Sequence, residues 1–270
     1  MKSLIKNVLK SALGDRAVAE LTRRWRGDQL HFSDEDLITD WFRAYPRKGV
    51  MVDVGAHFGE SLAPYLQLGW EILAFEPDPA NRARLLQNID AAKIRLYDCA
   101  VSDREQDGVP FFASPESDGI SSLSAFRETH REVNRVRLTT LARVLAEAGT
   151  QQVDFLKIDT EGHDLFVLRG FPWDRLQPDV VLCEFEDTKT LPLGYDYRQM
   201  GDFLVAQGYQ VFLSDWAPII RYGTSHTWRS FRPYPCALAE TKGWGNFVAL
   251  RAGLDPASLL RYVRRFTAPN

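Results

Sequence analysis

Two glycines and a carboxylate follow the first apolar run of the chain. The residues Asp53-Val54-Gly55-Ala56-His57-Phe58-Gly59 stand between a strand pattern and a helical pattern. Glycines at the carboxyl end of a strand let the backbone approach a ligand closely. Because Gly55 and Gly59 are spaced GxxxG rather than GxGxxG, the pyrophosphate-binding fingerprint is absent. The turn therefore predicts a site for a sulfonium nucleoside, with Asp53 neutralising its cationic amino-acid portion directly or through water; a purely structural turn is the alternative.

A second carboxylate ends the next predicted strand. Glu76 lies about twenty residues beyond the glycines, where doubly wound nucleotide folds place an acid on the ribose hydroxyls. A carboxylate accepts hydrogen bonds from both hydroxyl groups. The third strand ends near Ala100, which we expect to pass the nucleoside base and to contribute backbone contact and apolar packing. Glu76 and Ala100 therefore extend the predicted cofactor site; for Glu76 taken alone, an ordinary surface acid is the alternative.

The densest polar cluster is Lys157-Ile158-Asp159-Thr160-Glu161-Gly162-His163-Asp164, at the end of a buried strand. An open α/β sheet places its reacting groups at this edge. Asp159 is the first candidate for a catalytic base, followed by His163, whose imidazole titrates near neutrality, and then by His226. Glu161 and Asp164 equally suit favourable charges in the first turn of a helix.

The elements that position these residues alternate between apolar strand patterns and helical patterns. Strands are predicted at 50–54, 72–75, 94–101, 155–158 and 180–183, with two more at 209–213 and 246–250 forming an edge hairpin. Near-continuous apolar strands are covered on both faces, which is typical of parallel sheets. The sequence therefore predicts a doubly wound, mostly parallel α/β sheet. The segment 114–124, rich in Ser, Gly and Asp, is predicted to be a loop near the active site.

An aromatic insertion separates the last two predicted strands. Aromatic faces suit a sugar ring or a flat natural product, and arginines can hold a carboxylate or phosphate on it. Trp228 and Arg229 are the residues we expect to contact this acceptor; packing of the insertion onto the sheet is the alternative. The segment 214–244 also contains Trp216, Trp244, Tyr222, Phe231, Tyr234, Arg221 and Arg232.

Composition limits the class of protein. The chain has 270 residues, 45% of them apolar, and a formal net charge of -3. That charge gives no broad basic field for nucleic acid, so a neutral or small substrate is expected. The three cysteines are far apart and two lie in apolar runs, as expected of reduced core thiols. No metal ligands are assigned.

The two ends of the chain differ from its centre. We expect an N-terminal helical segment over 1–45, a catalytic domain over 46–252 and a C-terminal basic helix over 253–270. Lysines interrupt the apolar residues of the N-terminus, so no signal peptide is predicted and a cytoplasmic location is expected. The N-terminal helix has one apolar face and one basic face, which suits peripheral membrane contact, or packing on its own domain. The oligomeric state is not indicated.

Together these motifs resemble the FkbM family of methyltransferases. The resemblance runs from about residue 50 to 250 and is carried by MVDVGAHFGES, LAFEPDP, CAVSD, ISSLS, the RLTTL step and, most specifically, VDFLKIDTEGHDLFVLRGF. It implies a seven-stranded class I (Rossmann-like) sheet with a reversed final hairpin, S-adenosylmethionine as methyl donor, and O-methylation of a sugar or natural-product hydroxyl. It also implies that Asp53, Gly55, Gly59 and Glu76 contact the cofactor and that Asp159 lies close to the methyl group. One departure is Ala142, where the family often has aspartate.

Two other classes of protein fit parts of the pattern. A Rossmann oxidoreductase would use the strand, the turn and Glu76, but the third glycine of its fingerprint is missing. A metal-binding, non-catalytic module would use the oxygen-rich cluster that includes Asp159, Glu161 and Glu184, which suits Mg²⁺ or Mn²⁺. However, His163 has no second histidine at a ligand spacing.

Overall fold

The computed structural model describes residues 31–220 and 226–267. The predicted amphipathic N-terminal helix, with its membrane contact, lies outside the described residues, as do Arg221 and Tyr222. Within the described ranges, no helix is both long enough and apolar enough to cross a membrane.

A mixed sheet forms the centre of the described chain. Five of its strands are parallel, and three antiparallel pairings add three more strands at one edge. The spatial order is β11-β10-β12-β9-β8-β1-β2-β3. Its strands are β1 (Val50–Val54), β2 (Glu71–Phe75), β3 (Arg95–Tyr97), β8 (Phe155–Ile158), β9 (Val180–Glu186), β10 (Tyr209–Trp216), β11 (Trp228–Pro233) and β12 (Trp244–Arg251). This confirms the predicted doubly wound α/β class.

The helices cover the two faces of this sheet, so the central strands are buried on both sides. They are α1 (Asp34–Ala44), α2 (Ala63–Gln67), α3 (Pro79–Asn88), α4 (Leu141–Glu147), α5 (Asp164–Arg169), α6 (Asp187–Thr190), α7 (Tyr197–Ala206) and α8 (Ala257–Thr267). Local sequence sets their starts: Asp78 caps α3 ahead of Pro79, and Asp196 forms a capping box with Gln199 at α7.

The strand order reverses between β1 and β8, which lie side by side in parallel. The chain moves outward from β1 through β2 and β3, and later outward from β8 through β9 in the opposite direction. Loops at such a reversal separate to opposite faces of the sheet and leave a crevice at the carboxyl ends of the strands. The predicted turn after β1 and the polar cluster after β8 therefore lie at the same crevice.

The predicted count of seven strands in this sheet is wrong. The insertion between β10 and β12 contains β11, which pairs with β10 antiparallel and makes an eighth strand. Its residues mix aromatic and polar side chains without a regular alternation, and Phe231 stacks on Phe212. The arginine-rich composition of this stretch masked the strand pattern.

The predicted loop at 114–124 is also wrong in conformation. It contains β6 (Ser117–Ser122), part of a second sheet of order β4-β7-β5-β6. The other strands of that sheet are β4 (Ala100–Val101), β5 (Gln106–Ser114) and β7 (Arg131–Thr139). Glycine and serine have low strand propensity, and pairing with β5 overrides it. The segment nevertheless lies beside the candidate active site.

The two ends of the described chain meet. Helix α1 packs against α8, and their apolar residues share one core cluster with the sheet. Phe32, just before α1, stacks on Trp228 with ring centroids 4.2 Å apart. A helix runs from Ala257 to Thr267, within the range where the C-terminal basic helix was predicted. This packing places the start of α1 next to the carboxyl end of β8.

Candidate active site

Two cavities lie side by side at the carboxyl ends of the central strands. The first cavity, of about 220 Å³, is lined by the turn after β1, the end of β2 and strand β6. The second cavity, of about 260 Å³, is lined by the start of α1 and by the ends of β9, β10 and β12. Glu35, Lys157 and Asp159 line both cavities. A group transferred from one cavity to the other would pass these three side chains.

The turn after β1 requires glycine at its first position. Gly55 has φ 87°, and a Cβ atom there would lie 1.9 Å from the carbonyl oxygen of Asp159. Its backbone N–H donates to the carbonyl of Phe75, at the end of β2. The turn thus lies directly against β8 and lines the first cavity. Gly59 has a different task, since its missing Cβ makes room for Leu85 and Ile89.

Asp53 is completely buried and does not itself line the first cavity. One of its oxygens accepts a 2.5 Å hydrogen bond from Ser61, and the other lies 3.4 Å from the Nζ atom of Lys157. Ser61 and Lys157 do line the cavity. Asp53 is therefore connected to the first cavity through these two side chains.

Lys157 is a charged residue that the sequence reading left without a role. Its side chain is 7% exposed, and its Nζ atom also lies 3.7 Å from Asp159 and 3.9 Å from Glu35. Burial alone would lower the pKa of Lys157, but the three surrounding carboxylates outweigh it and raise that pKa. A lysine between Leu156 and Ile158 on a buried strand needs such counter-charges. This unusual position in an apolar strand is the sequence signal that could have identified Lys157 as a site residue.

Glu76 lies at the base of the first cavity and is 4% exposed. Its two oxygens each accept a backbone N–H, from His57 and from Asp78, at 2.8 Å. Burial raises the pKa of Glu76 to about 7, against the lowering effect of these donors. Each carboxylate oxygen has a second lone pair, so the side chain keeps capacity for ligand hydroxyls.

The remaining walls of the first cavity are largely apolar. Ala100 lines it together with Cys99, Val101 and Phe111. Strand β6 closes the opposite side through Asp118, Gly119 and Ser121. An apolar wall facing a polar base fits a nucleoside, whose flat base and hydroxylated ribose need the two kinds of surface. Ala100, predicted to pass the nucleoside base, is part of this apolar wall.

Asp159 stands at the boundary between the cavities. Its side chain is 45% exposed, and its backbone N–H continues the sheet by donating to Val54. Lys157 holds the carboxylate from below. Asp159 is thus both fixed by the sheet and open to ligands on either side, as a catalytic group must be.

A second buried lysine lies behind Asp159. Lys189 contacts the carboxylates of Glu161, Glu184 and Glu186, and its side chain is 2% exposed. Burial raises the pKa of Glu161 and of Glu184, and Lys189 opposes that rise. Oxygens of Asp159, Glu161 and Glu184 lie within 4.8 Å of one another, a spacing suited to a metal ion. The ammonium of Lys189 already supplies a positive charge to two of these carboxylates.

The histidine candidates lie away from the boundary. The Nε2 atom of His163 is 2.8 Å from the hydroxyl of Ser124, and burial lowers the pKa of His163 to about 4. His226 packs edge-on against Trp244. Neither residue lines either cavity. Asp164 is also structural: it accepts from Thr160 and from the backbone of Glu184, and burial raises its pKa to about 6.

The second cavity has aromatic and polar walls. Trp216 and Trp244 stack with ring centroids 5.4 Å apart. The buried carboxylate of Asp34 accepts hydrogen bonds from Trp216 Nε1 at 3.1 Å and from Asn246 Nδ2 at 3.0 Å. Glu184 lines the same space. Aromatic surface beside fixed polar groups is typical of a small-molecule site.

Trp228 and Arg229, the residues predicted to bind the acceptor, line neither of these cavities. Trp228 stacks on Phe32 and donates to Ser214, while Arg229 pairs with Glu240. These contacts of both side chains fit the alternative interpretation, in which the insertion packs onto the sheet. Trp228 packs against the apolar cluster that contains Phe32, whereas Trp216 ends β10 beside a register shift and lines the second cavity.

The sheet is doubly wound, and a nucleotide-type crevice lies where its strand order reverses. A GxxxG turn takes the place of a pyrophosphate loop there. Together these features define a class I methyltransferase architecture. Comparisons with known proteins agree. The model of the methyltransferase FkbM domain matches residues 53–211. A protein named Methyltransferase 1, from Beauveria bassiana (strain ARSEF 2860), is 26% identical over 203 residues, covering 64% of this chain and 78% of that protein.

Solved structures with a similar fold include two further methyltransferases. The precorrin-6y C5,15-methyltransferase of Geobacter metallireducens GS-15 is 15% identical with a TM-score of 0.44, covering 83% of this chain and 92% of that one. An rRNA methylase of Streptococcus thermophilus is 10% identical with a TM-score of 0.41, covering 82% and 99%.

Because the domain model matches well over half of the sequence, the chain belongs to the FkbM methyltransferase family. This confirms the resemblance and sets aside the oxidoreductase and the non-catalytic module. Family membership makes S-adenosylmethionine the cofactor, and the first cavity fits it. Gly55 brings the backbone to the cavity with no Cβ in the way, Glu76 keeps free lone pairs at its base, and the buried Nε2 atom of His57 has no partner among the described residues.

Proposed function

We propose that this chain is an O-methyltransferase that methylates a hydroxyl group of a small molecule or glycan bound in the second cavity. The observation that carries the proposal is the shared boundary of the two cavities at Lys157 and Asp159. A donor site and an acceptor site that meet at a fixed carboxylate are what direct displacement requires, since the enzyme has to align the two reactants.

In this proposal the first cavity holds the cofactor. The backbone at Gly55, the carboxylate of Glu76 and the apolar surface of Ala100 hold the adenosyl part, while Ser61 and Lys157 carry the influence of Asp53 to the amino-acid part. S-adenosylmethionine supplies an electrophilic methyl group on a sulfonium centre when bound. Strand β6 lies over this cavity through Ser121 and keeps water from it.

Asp159 is the residue we assign to the acceptor hydroxyl. Its carboxylate accepts the hydrogen bond of that hydroxyl and orients the oxygen lone pair towards the first cavity. It takes the proton as the new C–O bond forms and the methyl–sulfur bond breaks, with S-adenosylhomocysteine as the leaving group. Lys157 holds the carboxylate in place, because its Nζ atom lies 3.7 Å from Asp159 and 3.4 Å from Asp53. His163, the second candidate, lines neither cavity, and its Nε2 atom lies 2.8 Å from the hydroxyl of Ser124.

The test is the Asp159→Asn variant, which keeps the shape of the side chain and removes its charge. Formation of S-adenosylhomocysteine is measured by mass spectrometry with a panel of neutral sugars, catechols and phenols as acceptors. We expect turnover to fall by about a hundredfold or more, with the Kd for S-adenosylhomocysteine changed by less than about twofold. Asp107→Asn, an exposed residue of β5, is the matched control. Normal turnover of the Asp159 variant would refute its role, and a wild-type chain that methylates only amines or thiols would refute O-methylation.

A further inference from the structure

The first cavity extends from the end of β2 to the end of β8. Glu76 and Ala100 line the side to which the proposed function assigns the adenosyl part of the cofactor. Glu35, Lys157 and Asp159 line the opposite side, next to the second cavity. A cofactor that spans the cavity therefore places its amino-acid part among these three side chains.

The charges at this end of the cavity favour a positively charged ligand group. The Nζ atom of Lys157 lies 3.4 Å from Asp53, 3.7 Å from Asp159 and 3.9 Å from Glu35, so three carboxylates share one cation. In the described part of the chain, no other lysine or arginine lines the first cavity. The amino-acid part of S-adenosylmethionine carries an ammonium group, which needs a carboxylate partner. The excess of carboxylates around Lys157 provides one.

Two of the three carboxylates are exposed to a ligand. Asp53 is completely buried and does not line the cavity, whereas the side chains of Asp159 and Glu35 are 45% and 47% exposed. The proposed function engages Asp159 with the acceptor hydroxyl, so Glu35 is the carboxylate for the ammonium group. Glu35 has the longer side chain and lies farther from Lys157 than Asp159 does. Because a half-exposed ion pair contributes little, turning this carboxylate towards a ligand costs little.

The backbone of Glu35 is held in place by its neighbours in the first turn of α1. Ser33 caps the helix through its side chain. The carboxylate of Asp34 accepts hydrogen bonds from Trp216 on β10 and from Asn246 on β12, at 3.1 and 3.0 Å. The start of α1 is therefore fixed to the sheet, and the side chain of Glu35 extends from a fixed point to the wall of the cavity.

Glu35 differs from the rest of this wall in its position in the sequence. Every other residue that lines the first cavity, among those the structure describes, lies within residues 53–211, which match the family model. Glu35 comes from a helix that precedes this range. Neither the strand-end motifs nor the shared domain could therefore assign a role to it.

We propose that Glu35 is a cofactor-binding residue, whose carboxylate pairs with the ammonium group of the amino-acid part of S-adenosylmethionine. This inference rests on the proposed function, which places the cofactor in the first cavity. Glu35 also lines the second cavity, so the pair lies where the cofactor site meets the acceptor site. Docking of α1 onto the sheet thereby completes the cofactor site.

The experiment is calorimetry on the full chain with three ligands: S-adenosylhomocysteine, its analogue without the amino group, and methylthioadenosine, which lacks the whole amino-acid part. We expect the wild-type chain to bind the deamino analogue about tenfold more weakly than S-adenosylhomocysteine, because one charge-assisted hydrogen bond is lost. Glu35→Gln should no longer discriminate between these two ligands. Its Kd for methylthioadenosine should equal that of wild type, since this ligand does not reach Glu35.

Two further variants complete the series. Glu35→Asp keeps the charge on a shorter side chain and should recover part of the discrimination between the two ligands. Asp40→Asn removes an exposed charge from the same helix, and it should keep the wild-type ratio of the two Kd values. Asp40 lines neither cavity, which makes it the matched control for the charge of α1.

The outcomes separate the role of Glu35 from the cofactor assignment on which it rests. If Glu35→Gln prefers S-adenosylhomocysteine over the deamino analogue as strongly as wild type does, the role of Glu35 is refuted. An equal loss of affinity for all three ligands also refutes it, because α1 would then act only on the shape of the cavity. Glu76→Gln tests the assignment itself: if it weakens the binding of all three ligands while Glu35→Gln changes none, the cofactor site stands without Glu35. No acceptor is present in these measurements, so a failure of O-methylation does not alter them.

Discussion

Replacing Asp34 with asparagine should stabilise the fold at neutral and alkaline pH. The substitution keeps an oxygen to accept from Trp216 and Asn246, and it removes a charge that is 5% exposed. Burial raises the pKa of Asp34 from 3.8 to about 6, so the folded state disfavours the ionised form. An acid whose pKa is higher in the folded state than in the unfolded state makes its full contribution to the free energy of unfolding at pH values below the unfolded-state pKa. That contribution is lost as the pH rises through the folded-state pKa.

The magnitude follows from the shift in pKa. A difference of about two units corresponds to about 3 kcal/mol of unfolding free energy lost by the wild-type chain above pH 6. At about 2.1 cal/mol/K per residue, a chain of 270 residues gains about 2 °C in melting temperature per kcal/mol. Asp34→Asn should therefore melt about 5 °C higher than wild type at pH 8, and the gain should be about half as large at pH 5.

The assay is thermal unfolding followed by circular dichroism from pH 4.5 to 8.5, with Asp40→Asn as control. Lys157, Glu35 and Glu184 line the same cavity, and their contributions cancel in the comparison because both proteins contain them. A variant that is less stable than wild type at every pH would refute the reasoning. So would a gain in stability that does not change with pH.

Three further substitutions test the first cavity and its surroundings. Glu76→Gln should weaken S-adenosylhomocysteine binding by about tenfold or more in calorimetry, because a charged acceptor is lost from the base of the cavity; an unchanged Kd would remove Glu76 from the cofactor site. Gly55→Ala should prevent stable folding or lower the melting temperature by well over 5 °C, since its Cβ would lie 1.9 Å from a carbonyl oxygen. The control is Gly69→Ala, where φ is 74° and the space is open, and it should cost only about 1 kcal/mol of unfolding free energy. The pKa of His163 is lowered to about 4 by burial and by Arg104, so His163→Gln should leave the pH profile of turnover unchanged between pH 5.5 and 8; loss of a titrating step in that variant would contradict its neutral, structural role.

The sequence predicted the parts of the fold whose signals are local. Strands β1, β8 and β9 are apolar runs bounded by turn residues, and α3 begins at an Asp-Pro cap, so their positions follow from composition and spacing. The first cavity follows from the same logic, because Gly55 and Glu76 end adjacent parallel strands. Gly55 and Glu76 can be assigned to one cavity because the carboxyl ends of neighbouring parallel strands meet at the same edge of the sheet. This rule requires only the order of the elements.

The second cavity could not be predicted in the same way. Its walls come from the start of α1 and from β10 and β12, which are remote in the chain, and Asp34 meets Trp216 across 182 positions of sequence. Aromatic composition drew attention to the segment 214–244, but it did not decide which tryptophans line the second cavity. That choice depends on the pairing of β11 with β10 and on its register shift at Asp215 and Trp216, which are long-range properties of the sheet.

A crystal structure of the chain with S-adenosylhomocysteine tests the central claim most directly. The account predicts the adenosyl group in the first cavity, with its ribose hydroxyls on Glu76 and its base against Ala100. It predicts that the sulfur atom faces the boundary at Asp159, with an open path to the stacked pair of Trp216 and Trp244. Density for the ligand elsewhere, or a sulfur atom directed away from the second cavity, would contradict the account.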